Sequence, residues 1–258
     1  MRIEDVLALY DREERRQTEE PGLRRELAPG VVRLVDEIGR ESTVIYSELD
    51  AGTADAAIRR EAAYFAGLGH DLEWKLYTHD TPRDLHERLV ARGFRPDEPE
   101  AIMALDLEEV PEALLGPVPD FIRRLEDPAR LEDVTRVREA VWPGEHQGLE
   151  ERLARLMRTR PSYLSVYVAY ADGLPVCEGR INFPEKSMFA SIWGGATLSA
   201  YRRQGYYTAV LAVRVQEARQ RGARFLTIDA SPMSRPIVEK FGFRLLTMSQ
   251  PHVRTAGA

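Results

Sequence analysis

The chain has 258 residues, of which 43% are apolar and 30% are charged, and its formal net charge is −6. This length and balance allow one large globular domain or two modest ones. The single cysteine, Cys177, excludes an intramolecular disulfide, and the five scattered histidines lack metal-ligand spacing, so we expect no metal site. The chain has no 18-residue apolar run and no apolar signal region, so we expect a cytoplasmic protein without a membrane partner.

Charge is divided unevenly along the chain. Residues 1–120 contain 15 basic and 28 acidic side chains, whereas residues 121–258 contain 21 basic and 14 acidic ones. The acidic N-terminal half argues against nucleic acid as a partner, and the basic C-terminal half suits a ligand that carries phosphates.

The N-terminal half is predicted to alternate helices and strands. An amphipathic helix is expected over residues 3–18, because Val6, Leu7 and Tyr10 share one face. The apolar patterning then predicts, in order, strands over 31–37 and 42–49, a helix near residues 55–68 that reads most clearly over 62–69, a strand over 72–77, a helix over 82–92, Gly93-Phe94 and a strand over 101–107.

A proline-bearing run over residues 110–119 is typical of a linker between domains. We therefore predict an N-terminal domain over residues 1–115, a linker over 116–127 and a C-terminal domain over 128–258.

The C-terminal half is predicted to begin with three antiparallel strands. The elements expected there are strands over 163–170, 174–183 and 188–198, a helix over 205–221, a strand over 225–229, a short helix over 233–240, Phe241-Gly242-Phe243 and a final strand over 244–249. Helix, strand, helix, Gly-Phe and strand occur in the same order in both halves, with Phe94 and Phe243 separated by 149 residues. A period this long indicates a domain duplication.

The segment between the third strand and the long helix has the features of a phosphate site. It reads Tyr-Arg-Arg-Gln-Gly-Tyr-Tyr-Thr over residues 201–208, and Gly194-Gly195 lies within the preceding strand. The first N–H groups of a helix and a nearby glycine present donors to a phosphate, and Arg202 and Arg203 add charged donors. Paired glycines within a strand indicate a bulge or a ligand lying against the backbone.

Two motifs make the C-terminal half resemble the GNAT acetyltransferases. Arg202-x-x-Gly205 is similar to the acyl-CoA loop of that family, although Tyr207 stands where a small residue is usual. Ile237-Val238-Glu239-Lys240-Phe241-Gly242-Phe243 is similar to the family's Leu-Tyr-Glu-Lys-Leu-Gly-Phe segment. The resemblance covers about residues 128–250. It implies an α/β (α+β) protein with two tandem GNAT-like domains, each a mixed, mostly antiparallel twisted sheet flanked by helices, of which the N-terminal domain is degenerate.

The resemblance also implies a function, namely transfer of an acetyl group from acetyl-CoA to a primary amine by direct attack in a ternary complex. The implied partners are acetyl-CoA and a small amine acceptor, without nucleic acid or membrane, and the family often forms homodimers. The residues expected to bind acetyl-CoA are Gly195, Ala196, Thr197, Arg202, Arg203, Gln204, Gly205, Tyr206, Tyr207 and Thr208.

The catalytic residues are not settled by the sequence. Val238 occupies the position where the family often has a tyrosine that protonates the CoA thiolate, and Ser231 replaces a frequent asparagine. Tyr206, Tyr207, Ser231 and Ser234 are alternative proton donors. Glu178 and Asp229 are candidate general bases, and His146 is a further candidate in the acceptor region.

Two alternatives to an enzyme remain open. An acyl-CoA-binding or interaction module without turnover is favoured by Val238 and Tyr207. A nucleotide-phosphate-binding protein outside the family would prefer ATP or NAD to CoA.

Overall fold

The chain folds into two compact units in the computed structural model, which describes residues 1–144 and 148–257. The first unit comprises Met1–Met103, Asp229–Pro236 and Leu245–Ala258. The second unit comprises Ala104–Ile228 and Ile237–Arg244. These units differ from two consecutive domains, because two segments from the C-terminal half belong to the first unit.

The sheet of the first unit begins with three antiparallel strands. It continues with a parallel pair and includes a strand from the end of the chain. The elements of this unit are α1 (Ile3–Tyr10), β1 (Leu23–Ala28), β2 (Val31–Asp36), β3 (Glu41–Ser47), α2 (Ala54–Leu68), β4 (Asp71–Tyr77), α3 (Leu85–Ala91), β5 (Arg95–Pro96), the first residues of β6 (Glu100–Asp106) and nearly all of β12 (Arg244–Arg254). Strands β1, β2 and β3 pair antiparallel in that order, β3 pairs parallel with β4, and β12 pairs antiparallel with both β4 and β5.

The core of the first unit lies between its sheet and helices α2 and α3. Trp74 of β4, Phe65 of α2 and Leu89 of α3 are completely buried there. α2 ends at Gly69, whose φ of 71° is the left-handed conformation that closes many helices. The apolar positions at helical and strand spacing thus account for this packing.

The opening helix differs from its prediction in a way that burial explains. α1 continues as a π-helical segment over Asp11–Arg16. Arg15 in that segment is completely buried, and it donates two hydrogen bonds to Asp80, at 2.7 and 2.9 Å. A widened turn of this kind often occurs where a side chain must be placed for a particular contact.

In both units, three antiparallel strands are followed by a helix, a strand paired in parallel and another helix. The elements of the second unit are the rest of β6, β7 (Ile122–Arg124), α4 (Glu132–Val141), α5 (Leu149–Thr159), β8 (Leu164–Ala171), β9 (Leu174–Asn182), β10 (Phe189–Thr197), α6 (Tyr206–Gln220), most of β11 (Phe225–Ala230) and the end of α7 (Arg235–Glu239). Strands β7, β8, β9 and β10 pair antiparallel in that order, and β10 pairs parallel with β11.

The second unit has its own core and tight turns. Leu131, Val134, Leu153 and Val166 are among the buried side chains that join α4 and α5 to the sheet. The β8–β9 hairpin turns through Asp172 and Gly173, at φ values of 49° and 80°. This Asp-Gly pair has the positive φ values of the hairpin turn that the sequence predicts.

The mixed, mostly antiparallel sheets flanked by helices confirm the predicted fold class. Every predicted strand has a counterpart, and the last strand extends to Arg254, beyond residue 249. β1, β5, β7, α4 and α5 have no counterpart among the predicted elements. Among the described residues, no helix has the length and apolarity that crossing a membrane requires.

Candidate functional site

Two neighbouring strands of the second unit separate part of the way along their length. β10 and β11 pair over three registers, from Phe189 opposite Phe225 to Ser191 opposite Thr227. β10 then continues to Thr197, but no further pair joins the two strands in the part of the chain that the structure describes. Beyond Ser191, the backbone of β10 is therefore not paired with β11.

The separation coincides with a bulge in β10. Opposite β9, the register runs from Gly194 paired with Gly179 to Thr197 paired with Cys177, so β10 contains one extra residue there. Gly194 and Gly195 have φ values of 76° and 87°, which side chains rarely tolerate. The paired glycines thus mark a bulge, as the sequence predicts.

Neither glycine of the bulge has room for a side chain. A Cβ atom on Gly194 would lie 2.6 Å from Oε1 of Glu178. A Cβ atom on Gly195 would lie 2.9 Å from the ring of Tyr207. The bulky residue at position 207 is therefore compatible with the bulge because residue 195 has no side chain.

The turn before α6 directs backbone N–H groups outward. Arg203 and Gly205 have left-handed φ values of 61° and 89°, and α6 begins at Tyr206. The first N–H groups of a helix have no acceptor within it, and the helix dipole adds positive potential at this end. Arg202 is exposed and donates from Nε to the carbonyl oxygen of Thr197, at 3.2 Å. This turn therefore combines N–H donors and two arginines next to the bulge.

Two side chains of α6, Arg214 and Tyr207, lie next to the bulge. Arg214 of α6 is buried and donates to the carbonyl oxygens of Val210, Arg180 and Trp193, at 3.0, 3.3 and 3.2 Å. Burial raises the pKa of the Tyr207 phenol, so the hydroxyl stays protonated at neutral pH.

Glu178 is the carboxylate nearest to the bulge. It is completely buried, and its Oε1 accepts a hydrogen bond from Arg138 of α4, at 3.2 Å. Its Oε2 is also buried and has no hydrogen-bond partner among the described residues. A buried carboxylate with one free oxygen is able to accept a proton from a group placed beside it.

Asp229 and Ser231 belong to the first unit, whereas Glu178 belongs to the second. Asp229 forms an ion pair with Lys75. Ser231 caps the turn before α7, where its carbonyl oxygen accepts from the Arg235 N–H at 2.9 Å and its Oγ accepts from the Ser234 N–H at 3.3 Å. Both side chains thus have structural partners.

Three other residues singled out in the sequence have different settings. Val238 is completely buried, and its carbonyl oxygen accepts a hydrogen bond from the Phe241 N–H. Burial raises the pKa of the Cys177 thiol to about 12, so this side chain stays a protonated thiol. His146 lies outside the described residues.

Arg138 and Arg180 were not identified from the sequence, although both lie near Glu178. Arg180 lies on β9, two residues after Glu178, and each charged residue follows an apolar or small one in an otherwise buried strand. Charged residues in a buried strand are a signal that sequence reasoning can use.

The sheet, the bulge and the helix start together define the class of this protein, an α/β protein in which two neighbouring strands diverge. The model of the acetyltransferase (GNAT) family matches residues 131–243. This segment is therefore similar to the GNAT family, and it spans less than half of the chain.

Solved structures extend the similarity to the whole chain. A GCN5-related N-acetyltransferase from Kribbella flavida matches with a TM-score of 0.68 at 14% identity, covering 97% of this chain and 95% of that one. A tandem GNAT protein from the clavulanic acid biosynthesis pathway matches with a TM-score of 0.61 at 11% identity, covering 99% and 88%.

A third similar structure is a GCN5-related N-acetyltransferase from Sphaerobacter thermophilus, with a TM-score of 0.58 at 15% identity and coverage of 88% and 77%. No curated protein sequence matches significantly. At these identities the structural likeness concerns the fold alone, and it confirms the predicted tandem GNAT architecture.

Proposed function

We propose that this protein transfers an acetyl group from acetyl-CoA to a primary amine, by direct attack of the amine within a ternary complex. The observation that carries the proposal is the separation of β10 from β11 at the Gly194-Gly195 bulge, directly before the N-terminus of α6. The match of residues 131–243 to the model of the acetyltransferase (GNAT) family supports acyl transfer as the reaction class.

The residues around the cleft fit acetyl-CoA. The backbone of Gly195, Ala196 and Thr197 would hold the pantetheine arm, since these residues lie in β10 beyond its last pair with β11. The turn Arg202–Thr208 would hold the pyrophosphate through N–H groups and guanidinium groups. A backbone donor aimed at the thioester oxygen would stabilise the oxyanion that forms during attack.

Glu178 is our proposed general base. Its free Oε2 adjoins the bulge, whereas the carboxylate of Asp229 is already paired with Lys75. Attack requires the amine to lose its proton, and a carboxylate within hydrogen-bond distance can take it. No covalent intermediate is needed, because Cys177 remains a buried thiol.

Tyr207 is our proposed donor to the leaving thiolate. Its ring packs against Gly195, and its phenol remains protonated at neutral pH. A thiolate whose pKa is about 8.5 is able to take a proton from such a neighbour as the thioester bond breaks. This role would replace the hydroxyl that Val238 lacks.

Calorimetric titration with acetyl-CoA, ATP and NAD tests the donor site. We expect acetyl-CoA alone to bind, and we expect Arg202→Ala combined with Gly205→Glu to abolish that binding without unfolding the protein. Arg219→Ala is the matched control, because Arg219 is an exposed residue of α6 outside the turn. Binding that survives the double substitution would contradict the phosphate site.

Turnover is tested separately by release of CoA thiol in the presence of primary amines. Glu178→Gln is expected to lower kcat by about 100-fold or more, as loss of a general base does. Binding of acetyl-CoA without thiol release from any amine would instead favour the acyl-CoA-binding module without turnover.

A further inference from the structure

Arg180 and Glu178 form the centre of a charged cluster beneath the bulge. They are two residues apart on β9, and alternation along a strand places both side chains on one face of the sheet. Helix α4 covers this face, since its Arg138 donates to Glu178 at 3.2 Å. Arg180 therefore lies beside Glu178, the carboxylate to which we assign the proton transfer.

The surroundings of Arg180 disfavour its positive charge. Burial lowers the pKa of Arg180 to about 10, and repulsion from Arg138, Arg152 and Arg214 acts in the same direction against the attraction of Glu178. An anion bound beside Arg180 would offset both the burial and this repulsion.

The hydrogen bonding of Arg180 points to the same conclusion. Its Nη1 is buried and has no hydrogen-bond partner in the described parts of the chain, although the side chain as a whole is only partly buried. A buried charged donor without a partner is costly, so native structures normally supply one. The planar guanidinium group matches a carboxylate, which accepts two parallel N–H bonds.

We propose that Arg180 binds a carboxylate group of one of the two reactants. This inference rests on the proposed function, and it specifies the reactants further. The carboxylate belongs either to the acceptor, which is then an amino acid with its amine at Glu178, or to the acyl group, which is then a dicarboxylic acyl chain on CoA. Residues two apart on a strand are about 7 Å apart, which suits the amine and the carboxylate of one small molecule.

Matched reactants distinguish the two sources. In the first arm, CoA thiol release from acetyl-CoA is measured with amino acids and with the corresponding amino-acid amides. In the second arm, calorimetry compares succinyl-CoA with acetyl-CoA. A charge-assisted contact predicts that the carboxylate-bearing member of one pair is preferred about 10- to 100-fold, in kcat/KM or in Kd.

Substitution of Arg180 assigns that preference to its guanidinium group. Arg180→Gln is expected to bring the preference ratio for the carboxylate-bearing reactant close to one, mainly through KM in the first arm. Arg180→Lys is expected to retain part of the preference. Arg219→Gln is the matched control and should keep the wild-type ratio. Should Arg180→Gln fail to fold, the ratio in the wild-type protein and in Arg180→Lys still decides the question.

Absence of any carboxylate preference in both arms, or a preference that Arg180→Gln leaves unchanged, would overturn the inference. Failure of the proposed function looks different, because acetyl-CoA then neither binds nor turns over. In that case, titration with amino acids and succinate alone tests the site. Binding that Arg180→Gln abolishes supports the carboxylate site, and no binding of either probe overturns it.

Discussion

Glu100 illustrates how the setting of one carboxyl group controls its charge. Its Oε2 lies 3.9 Å from Nζ of Lys75, which is also paired with Asp229. Burial raises the pKa of Glu100 to about 7. Attraction to Lys75 lowers this pKa, and repulsion from Asp229 and Glu73 raises it. This carboxyl group therefore changes charge near neutral pH within the folded first unit.

The raised pKa predicts that the protein loses stability as pH rises. The folded pKa lies above the value of about 4.3 for an unfolded glutamate, so the folded state retains a proton that the unfolded state has lost. The contribution of this carboxyl group to stability is complete below about pH 4.3. It disappears as pH rises through about 7, the pKa in the folded state. The binding of one proton would change the free energy of unfolding by ~1.4 kcal/mol per pH unit. Since 34% of the Glu100 side chain is exposed, we expect a smaller change than this.

Glu100→Gln provides the measurement, because glutamine mimics the protonated carboxyl group. Urea unfolding between pH 5 and pH 8 should show the wild type losing stability relative to this variant as pH rises. Glu98→Gln, at an exposed neighbouring position, should follow the wild type. Parallel curves for wild type and Glu100→Gln would show that this carboxyl group does not titrate in the window.

Gly195 and Tyr207 show what single residues reveal before a structure is available. The sequence predicts the bulge because two adjacent glycines interrupt an apolar strand. It does not predict that the Tyr207 ring fills the space beside Gly195, because this contact joins residues in a strand and a helix whose distance depends on packing. In sequence, Tyr207 departs from the small residue that is usual at this position. In the structure, its ring fills the space that the absent side chain of Gly195 leaves.

Helix α6 is tied to the sheet by a polar contact in addition to its apolar face. The carboxylate of Glu217 accepts hydrogen bonds from Ser165 and Tyr167 of β8, at 2.8 and 2.9 Å, and it pairs with Arg221 at 3.2 Å. Glu217 is only 9% exposed, so these bonds are largely protected from water. The orientation of α6, and with it the turn at its start, depends on this carboxylate.

Glu217→Ala is expected to destabilise the protein by about 2–4 kcal/mol, because it leaves two hydroxyl groups and one guanidinium group without their acceptor. Tyr167→Phe removes a single donor and should cost about 1 kcal/mol. Chemical denaturation measures both, with Gln220→Ala as an exposed control on the same helix. Equal losses for Glu217→Ala and Tyr167→Phe would refute the anchoring role.

Three of the elements that sequence patterns miss have weak apolar signals. β1 contains no buried residue, so its sequence lacks the alternation that identifies a half-buried strand. β7 has three residues, which is too short for a period to appear. α4 buries Val134 and Val137 but is otherwise mostly polar. By contrast, β8 and β9 were predictable because six residues of each strand are buried, and β8 is also rich in valine and tyrosine.

At the scale of the whole molecule, the chain does not divide into consecutive domains. β12 is the last strand in sequence, yet its residues from Leu245 onward belong to the first unit. Six of them, from Ser249 to Arg254, pair with β4. Residues 1–115 therefore lack a strand that lies beside β4 in the first unit.

The placement of β12 in the first unit predicts the behaviour of a fragment. Residues 1–115 alone should show no cooperative thermal unfolding by circular dichroism, since β4 would have an unpaired edge. Joining residues 245–258 to this fragment through a Gly/Ser linker should restore a cooperative transition. The same linker with residues 245–258 in scrambled order is the control. Cooperative unfolding of the unmodified fragment at the same midpoint would contradict the assignment.

The sequence by itself determined the order of helices and strands, the tandem repeat and the glycine-containing turn before α6. These features depend on local periodicity and on backbone conformations that single residues favour. Only the tertiary structure decided that β12 belongs to the first unit, that Tyr207 packs on Gly195 and that Arg180 lies beside Glu178 among further arginines. Such contacts join residues far apart in the chain, and they depend on strand pairing and helix packing, which no local pattern records.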